Sequence, residues 1–426
     1  MRDHSKHVEL KREDAIQALI DASDFALETE SVDLHDALGR VTAHDCISLH
    51  DLPSALCAQM DGIAVHFDDF AKGMPDVSGW KCGIDYGWAN TGTAMPEGFD
   101  TAIRIESVSF GEDGELASIE AAPDKRGAMC KQPGSDFAKG EVIVPARTRL
   151  TPAKISALAM CGHTSVEVVR KPKVVFIPTG DELVMMGQEL PAGKAYESNG
   201  ILLEMKLKTW GAEPIIHPCL PDDWEQIKAA LLKASDEADI VAINAGSSKG
   251  SKDFTMEILE EIGTVFCHET NHGPGRHTSA STVNGTPVLG ISGPPGGCEI
   301  TADWYLKPLV DTFLYGHAVE FTKATVRLAE SVPPSGPGSK PKSAAQGKSG
   351  SDPHDGPGED FFAIKPVTLE YTEDGLVARF VKGVGHLNLL QLDTADGYLE
   401  RNPRTYGELQ EGSEVEIELR YPYTAR

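Results

Sequence analysis

The chain predicts a multidomain α/β protein, in which a central, doubly wound, mostly parallel sheet follows β-rich N-terminal domains and precedes a small C-terminal β domain. Three observations predict it. From about 171 to 317 short apolar runs alternate with helical stretches, the pattern of a parallel sheet covered by helices. Beyond 318 several segments alternate apolar and polar residues, as half-buried strands do. The length of 426 residues, at roughly 150 residues per domain, leaves room for several cores.

Taken in order, EDAIQALIDASDFAL reads as a helix, and the rest of residues 1–170 as short strands and turns. This is an elongated N-terminal region with an inserted β domain. In the middle region KVVFIPTGDEL is an apolar run ending in a turn, and SNGILLEMKLKTWGA is a helix that stops at Gly211. EPIIHPCL is a short strand, and DWEQIKAALLKASDEA a helix capped by Asp222 or Asp223. DIVAINAG, TVFCHET and PVLGISG read as strands, FTMEILEEIG and EITADWYLKPLVDTFL as helices. From 318 to 426, TKATVRLAES, DFFAIKPVTLEY and SEVEIELRYPY form the C-terminal β domain. Between the first two lies 331–360, where eighteen of thirty residues are Gly, Pro or Ser and Val332 is the one large aliphatic. Such a run cannot repay the entropy of ordering, so a disordered insertion is expected there.

Sixty-five acidic against 39 basic side chains give a net charge of −26. That balance argues against nucleic acid and anionic membranes as partners, since both need a basic face. No apolar stretch approaches the ~18–20 residues of a membrane span. The charged opening MRDHSKHVELKREDAIQAL lacks an apolar h-region, so no signal peptide and a cytoplasmic location are expected. Eight scattered cysteines without a CxxC pair read as free thiols in a reducing compartment.

In an open parallel sheet, ligands bind beyond the carboxyl ends of the strands, and this chain places distinctive loops there. They are Thr179-Gly180-Asp181-Glu182, Pro221-Asp222-Asp223, Ala245-Gly246-Ser247-Ser248-Lys249-Gly250 with Asp253 beyond, and Ser292-Gly293-Pro294-Pro295-Gly296-Gly297. Glycine- and serine-rich loops bring backbone N–H groups near a phosphate. The carboxylates Asp181, Glu182, Asp222 and Asp253 suit Mg²⁺, which prefers oxygen ligands. Together they read as a site for a phosphate-bearing cofactor. An Asp at a helix start also reads as a cap, and a Gly-rich loop as a plain turn. Neither GxxxxGK[ST] nor GxGxxG occurs, so ordinary ATPase and dinucleotide readings lose support. Asp61-Gly62 at the entry to an apolar strand and the turn-rich loop from Asn90 to Gly98, with Thr91, are further candidates. His272 and His277 flank Gly273-Pro274-Gly275-Arg276, a weak metal pattern.

Eight segments in order resemble the molybdopterin molybdenumtransferase family, the bacterial MoeA-type proteins and the matching gephyrin domain. Ala37-Leu38-Gly39-Arg40-Val41 and Met60-Asp61-Gly62 resemble its ALGRV…AMDGYAV opening. Thr91-Gly92 with Pro96-Glu97-Gly98 is similar to TGAPxPxG, Gly134-Ser135-Asp136 to GED, and Pro178 to Leu183 to STGDEL. Ser198-Asn199, Asp222-Asp223, and Gly250 with Asp253-Phe254 complete the series. The resemblance implies a molybdopterin-binding α/β domain at 171–317. It also implies Mg²⁺-dependent insertion of molybdate, or tungstate, into adenylylated molybdopterin with release of AMP. A cytosolic homodimer is implied too, with a molybdoenzyme or an adenylyltransferase as further partner. By matching position, Asp61, Thr91, Asp136, Glu182, Asp222 and Asp253 would form the active-site cleft, and Glu182, Asp222 and Asp253 would hold the metal. Gly246, Ser247, Ser248, Lys249, Gly250, Arg276, Ser292, Gly293 and Pro295 would cradle the cofactor.

The departures fall in the loops that grip anions. GGVSVG reads Ala245 to Gly250, KPGKP reads Gly273-Pro274-Gly275-Arg276-His277, and LPGNPVS reads Ile291 to Gly297. A lysine is lost at 273, while Lys249 and Arg276 bring cations of their own. Two alternatives therefore stand beside the transferase: a non-catalytic binding or carrier protein for the pterin cofactor, and a pterin adenylyltransferase.

Overall fold

The computed structural model describes residues 8–245, 254–318, 320–331, 361–373, 375–382, 388–402 and 409–420. The chain forms two compact units, one of Glu28–Val169 and one of the residues up to Leu27 together with those from Arg170 on. The first helix, α1 (Arg12–Asp21), therefore packs within the second unit, although it precedes Glu28–Val169 in sequence. It is also shorter than expected. Ser23 Oγ donates to the Leu19 carbonyl, and the Asp/Ser run competes with the helical backbone.

In the unit Glu28–Val169, β1 (Thr29–Asp33), β2 (Cys46–Ile47), β3 (Cys57–Ala58), β4 (Gly62–Val65), β5 (Tyr86–Ala89) and β6 (Thr101–Arg104) precede β7 (Cys130–Lys131) and β8 (Val142–Val144). Helix α2 (Pro152–Met160) and β9 (Ser165–Val169) close it. All the pairs are antiparallel: β9 with β1, β8 with β2, β7 with β3, and β4 between β5 and β6. Three apolar clusters result. Leu34, Val144, Leu158 and Val168 belong to one, Ile63, Val65, Tyr86 and Ile103 to a second, and Ala58, Ala64, Phe99 and Cys130 to a third.

The second unit holds β10 (Lys173–Ile177), α3 (Asn199–Trp210), β11 (Glu213–Ile216), α4 (Trp224–Glu237) and β12 (Ile240–Ala245). After them come α5 (Thr255–Ile262), β13 (Thr264–Cys267), β14 (Ser279–Val283), β15 (Thr286–Ser292), α6 (Pro295–Thr301) and α7 (Lys307–Tyr315). The sheet order is β11-β10-β12-β15-β14-β13, parallel through β15 and antiparallel in the last two strands. Val174 to Ile177 are all buried, because alternate side chains meet helices on both faces. The expected stops hold: Gly211 ends α3 at φ 92°, and Asp223 caps α4 by accepting from the Gln226 N–H at 2.9 Å.

The unit continues with β16 (Lys323–Leu328), β17 (Phe362–Thr372), β18 (Gly375–Phe380), α8 (Leu389–Asp393), β19 (Gly397–Arg401) and β20 (Glu414–Leu419). The order β17-β18-β16-β20-β19 returns to β17, closing a small barrel, which removes the free edges of an open sheet. The disorder expected at 331–360 falls, Ser331 apart, outside the described residues.

The barrel is tied to the α/β layers by buried charge. Lys206 Nζ lies 3.0 Å from Glu299 and 2.7 Å from Asp303, and Arg420 pairs with the same two acids. Arg12 pairs with Glu418 at 2.9 Å and lies 4.3 Å over the Trp304 ring. Six of the eight cysteines are buried and all eight are free.

Candidate functional site

The loops expected at the carboxyl edge of the parallel sheet meet there. Thr179, just after β10, bridges to Leu220, and the Gly180 N–H donates to the Leu220 carbonyl. Gly180 has φ 145°, and any β-carbon there would fall within 2.9 Å of the Glu182 carboxylate. Glycine is what allows the acid to fold back over its own turn. The next loop is locked to this one by reciprocal bonds. The Asp222 N–H donates to Asp181 Oδ1 at 3.2 Å, and the Asp181 N–H approaches Asp222 Oδ2 at 3.5 Å. Lys194 Nζ donates to the Asp181 carbonyl. Burial pushes the Cys219 thiol up to about 11, and the charges of Glu197, Glu182 and Asp222 add to the effect. Three carboxylates thus act on one point.

An amide chain spans the same edge. Asn244, near the end of β12, approaches the Thr179 carbonyl with Nδ2 at 3.5 Å. Asn199, the first residue of α3, donates to the Gly293 carbonyl at 2.8 Å and lies 3.4 Å from Asn244 Oδ1. The buried Glu197 accepts from the Gly200 N–H at 2.8 Å and so caps α3. Two glycine loops meet at the start of α6. A β-carbon on Gly297 would lie 2.4 Å from Ser292 Oγ and 3.9 Å from the Gly275 nitrogen. Ser292 is buried at the end of β15, Gly293 follows it, and Pro295 opens α6.

Other expected ligands are placed differently. Arg276 faces Glu9 at 3.2 Å and Glu269 at 3.0 Å, so its guanidinium is already engaged by two carboxylates. His277 also meets Glu269, at 3.1 Å. His272 is fully buried: its Nδ1 donates to the Pro274 carbonyl and its Nε2 accepts from the Tyr305 hydroxyl. Gly246, Ser247, Ser248, Lys249, Gly250 and Asp253 lie outside the described residues. Among the described residues no three His, Cys, Asp or Glu side chains are grouped to hold a metal ion. Glu182 and Asp222 are the two described acids of the expected set.

The unit Glu28–Val169 carries the remaining candidates. A β-carbon on Gly62 would fall 1.9 Å from the Ile103 carbonyl oxygen, so glycine is required for β4 to lie against β6. Asp61 precedes it and is exposed. Its Oδ1 accepts from the Thr91 N–H at 2.8 Å and the Thr91 hydroxyl at 3.0 Å. These two bonds, the backbone one first, lower the Asp61 pKa below the usual carboxylate range. Asp136 receives the Lys131 ammonium at 2.9 Å on both oxygens. Sequence reasoning passed over Lys131, Lys194, Glu197, Cys219 and Asn244. Only Glu197 carried a local signal, standing immediately before Ser198-Asn199.

Comparison with known proteins agrees with this architecture. Residues 10–162 match the family model of the MoeA N-terminal region (domain I and II), and residues 175–312 match that of a probable molybdopterin binding domain. The molybdopterin molybdenumtransferase of Haemophilus influenzae is 30% identical over 312 residues, covering 71% of this chain and 77% of that one. That of Bacillus subtilis is 30% identical over 328 residues, with 73% and 76% covered. The solved molybdopterin biosynthesis MoeA protein of Pyrococcus horikoshii superposes with a TM-score of 0.74 at 27% identity, covering 98% of this chain and 100% of that chain. The chain therefore belongs to the molybdopterin molybdenumtransferase family of transferases.

Proposed function

We propose that this chain, with a role in molybdenum cofactor biosynthesis, inserts molybdate or tungstate into adenylylated molybdopterin and releases AMP. The observation that carries the reading is the carboxyl edge. The Gly180 turn, Asp222, the Asn199–Asn244 amides and the Ser292–Gly297 loop gather there, in the part of the chain that matches a probable molybdopterin binding domain. Glu182 and Asp222, with Asp253, would hold Mg²⁺. Their oxygen donors suit that ion, and the charge that Glu182 and Asp222 bring near Cys219 favours a cation. When bound, the ion offsets the negative charge of phosphate and oxyanion. Asp61, kept ionised by Thr91, orients a hydrogen-bond donor of the substrate or a bound water. Gly293, Ser292 and the first turn of the helix that Pro295 opens offer N–H and hydroxyl donors to phosphate oxygens. A cytosolic homodimer goes with this reading, which light scattering on the purified chain checks. No described helix is long and apolar enough to cross a membrane.

Incubation of the protein with adenylylated molybdopterin, Mg²⁺ and each oxyanion in turn should release AMP. Cofactor binding without AMP release would overturn the reading. One observation favours a carrier protein instead: Arg276, expected to grip an anion, is held by Glu9 and Glu269. A carrier would co-purify with the pterin cofactor, and its behaviour would be indifferent to Asp61→Asn.

A further inference from the structure

Asn199 is 4% exposed and opens α3. Its Nδ2 donates to the Gly293 carbonyl at 2.8 Å. That bond settles the orientation of the amide, since turning it over would set two carbonyl oxygens against each other. The other end of the group, Oδ1, is buried and has no hydrogen-bond partner among the described residues. A buried oxygen left without a donor costs about 1–3 kcal/mol. This one stands at the carboxyl edge of a parallel sheet, where ligands bind, and neighbouring bonds to Asn244 and Gly293 hold it in place. A carboxamide oxygen accepts and never donates. It therefore answers neither a deprotonated phosphate nor an oxyanion; what it needs is a donor, an N–H or an O–H, and the ring of a pterin carries N–H donors on its amino-pyrimidinone edge.

We infer that Asn199 is a specificity-determining residue whose Oδ1 accepts a hydrogen bond from the 2-amino group on the amino-pyrimidinone edge of a pterin ring. The inference rests on the pterin reading proposed above and adds the residue and the ring edge that it reads. Adenine carries an amino donor of the same kind, so the test has to separate the two rings.

Fluorescence titration of the full chain with 6-hydroxymethylpterin and 6-hydroxymethyllumazine makes the comparison, because lumazine replaces the 2-amino group by an oxygen. The unsubstituted protein should bind the pterin about tenfold more tightly, the effect of one buried hydrogen bond. Asn199→Ala should bind the two alike. A purely structural role would weaken both ligands together and leave their ratio intact, and that result overturns the inference. A parallel titration with AMP and IMP reads the adenine edge. If Asn199→Ala abolishes discrimination between these two while the pterin preference persists, the assignment to pterin is wrong. Equal binding of pterin and lumazine by the unsubstituted protein overturns this inference alone, whereas no pterin binding at all overturns the parent reading with it. Should Asn199→Ala fail to fold, Asn199→Ser takes its place.

Discussion

Helix α6 joins two polar regions of opposite character. At its first turn it borders the carboxyl edge, where, among the described residues, Asp181, Glu182, Asp222 and Glu197 outnumber the nearby Lys194 and the amide of Asn199 keeps a free acceptor. One turn further along, Glu299 enters the interior and, with Asp303 beyond it, meets Lys206 and Arg420, two acids against two bases. The interior cluster is charge-balanced because burial leaves no alternative: an unpaired charge there costs several kcal/mol. The carboxyl edge is unbalanced because part of it stays in contact with solvent. Polar surplus that water or a ligand can satisfy marks a place to bind, and polar groups matched to one another mark a place that holds structure.

Four substitutions separate these roles. The largest effect is expected from Arg420→Met, which leaves two buried acids facing one lysine. Stability should fall by about 3–5 kcal/mol, read by guanidinium denaturation. Next comes His272, which burial pushes down to about 4, with Arg12 adding to the effect. Its folded pKa lies below the unfolded value of about 6.5. The unfolded chain therefore takes up a proton that the folded one refuses. Stability is full above pH 6.5 and falls as pH drops from there towards 4, by about 3 kcal/mol in all. His272→Gln should remove that dependence, seen as the difference between the two stability profiles.

At the unbalanced edge the consequence should be kinetic. Glu182→Gln should slow AMP release by about a hundredfold, near 2.7 kcal/mol in barrier, with little change in denaturation midpoint. An equal loss of stability would erase the contrast drawn between the two regions. The smallest effect is expected at Thr91. Thr91→Ala removes the hydroxyl bond to Asp61 but keeps the backbone bond, which is the larger cause of the lowered pKa. The acid limb of the rate profile should move part of the way to higher pH, the direction in which a less stabilised carboxylate titrates.

Much of the second unit was legible because its signals are local. Gly211 ends a helix through its own φ, and Asp223 caps one three residues away. The alternation of strand and helix then orders the sheet, and the sheet's carboxyl edge names the loops. Other features left no such trace. Arg12 and Glu418 are 406 residues apart in sequence and pair only because α1 packs with the second unit. Arg276 looked free to bind an anion, and nothing near it in sequence announced Glu9. Gly62 was visible as a glycine beside an acid, but its necessity lies in the Ile103 carbonyl on another strand.

By itself, then, the sequence determined the alternating strands and helices of the parallel part of the sheet, their order, and which loops lie at those strand ends, while β14, β18, β19 and α8 went unread. The features it determined follow from periodicity and capping over a few neighbouring residues. The tertiary structure alone decided which polar groups find partners. Asp61 obtains Thr91, Asp136 obtains Lys131, and Arg276 is taken by Glu9 and Glu269, while Asn199 Oδ1 is left over among the described residues. Hydrogen bonds and ion pairs depend on distance in space and on burial, and neither is a property of position along the chain.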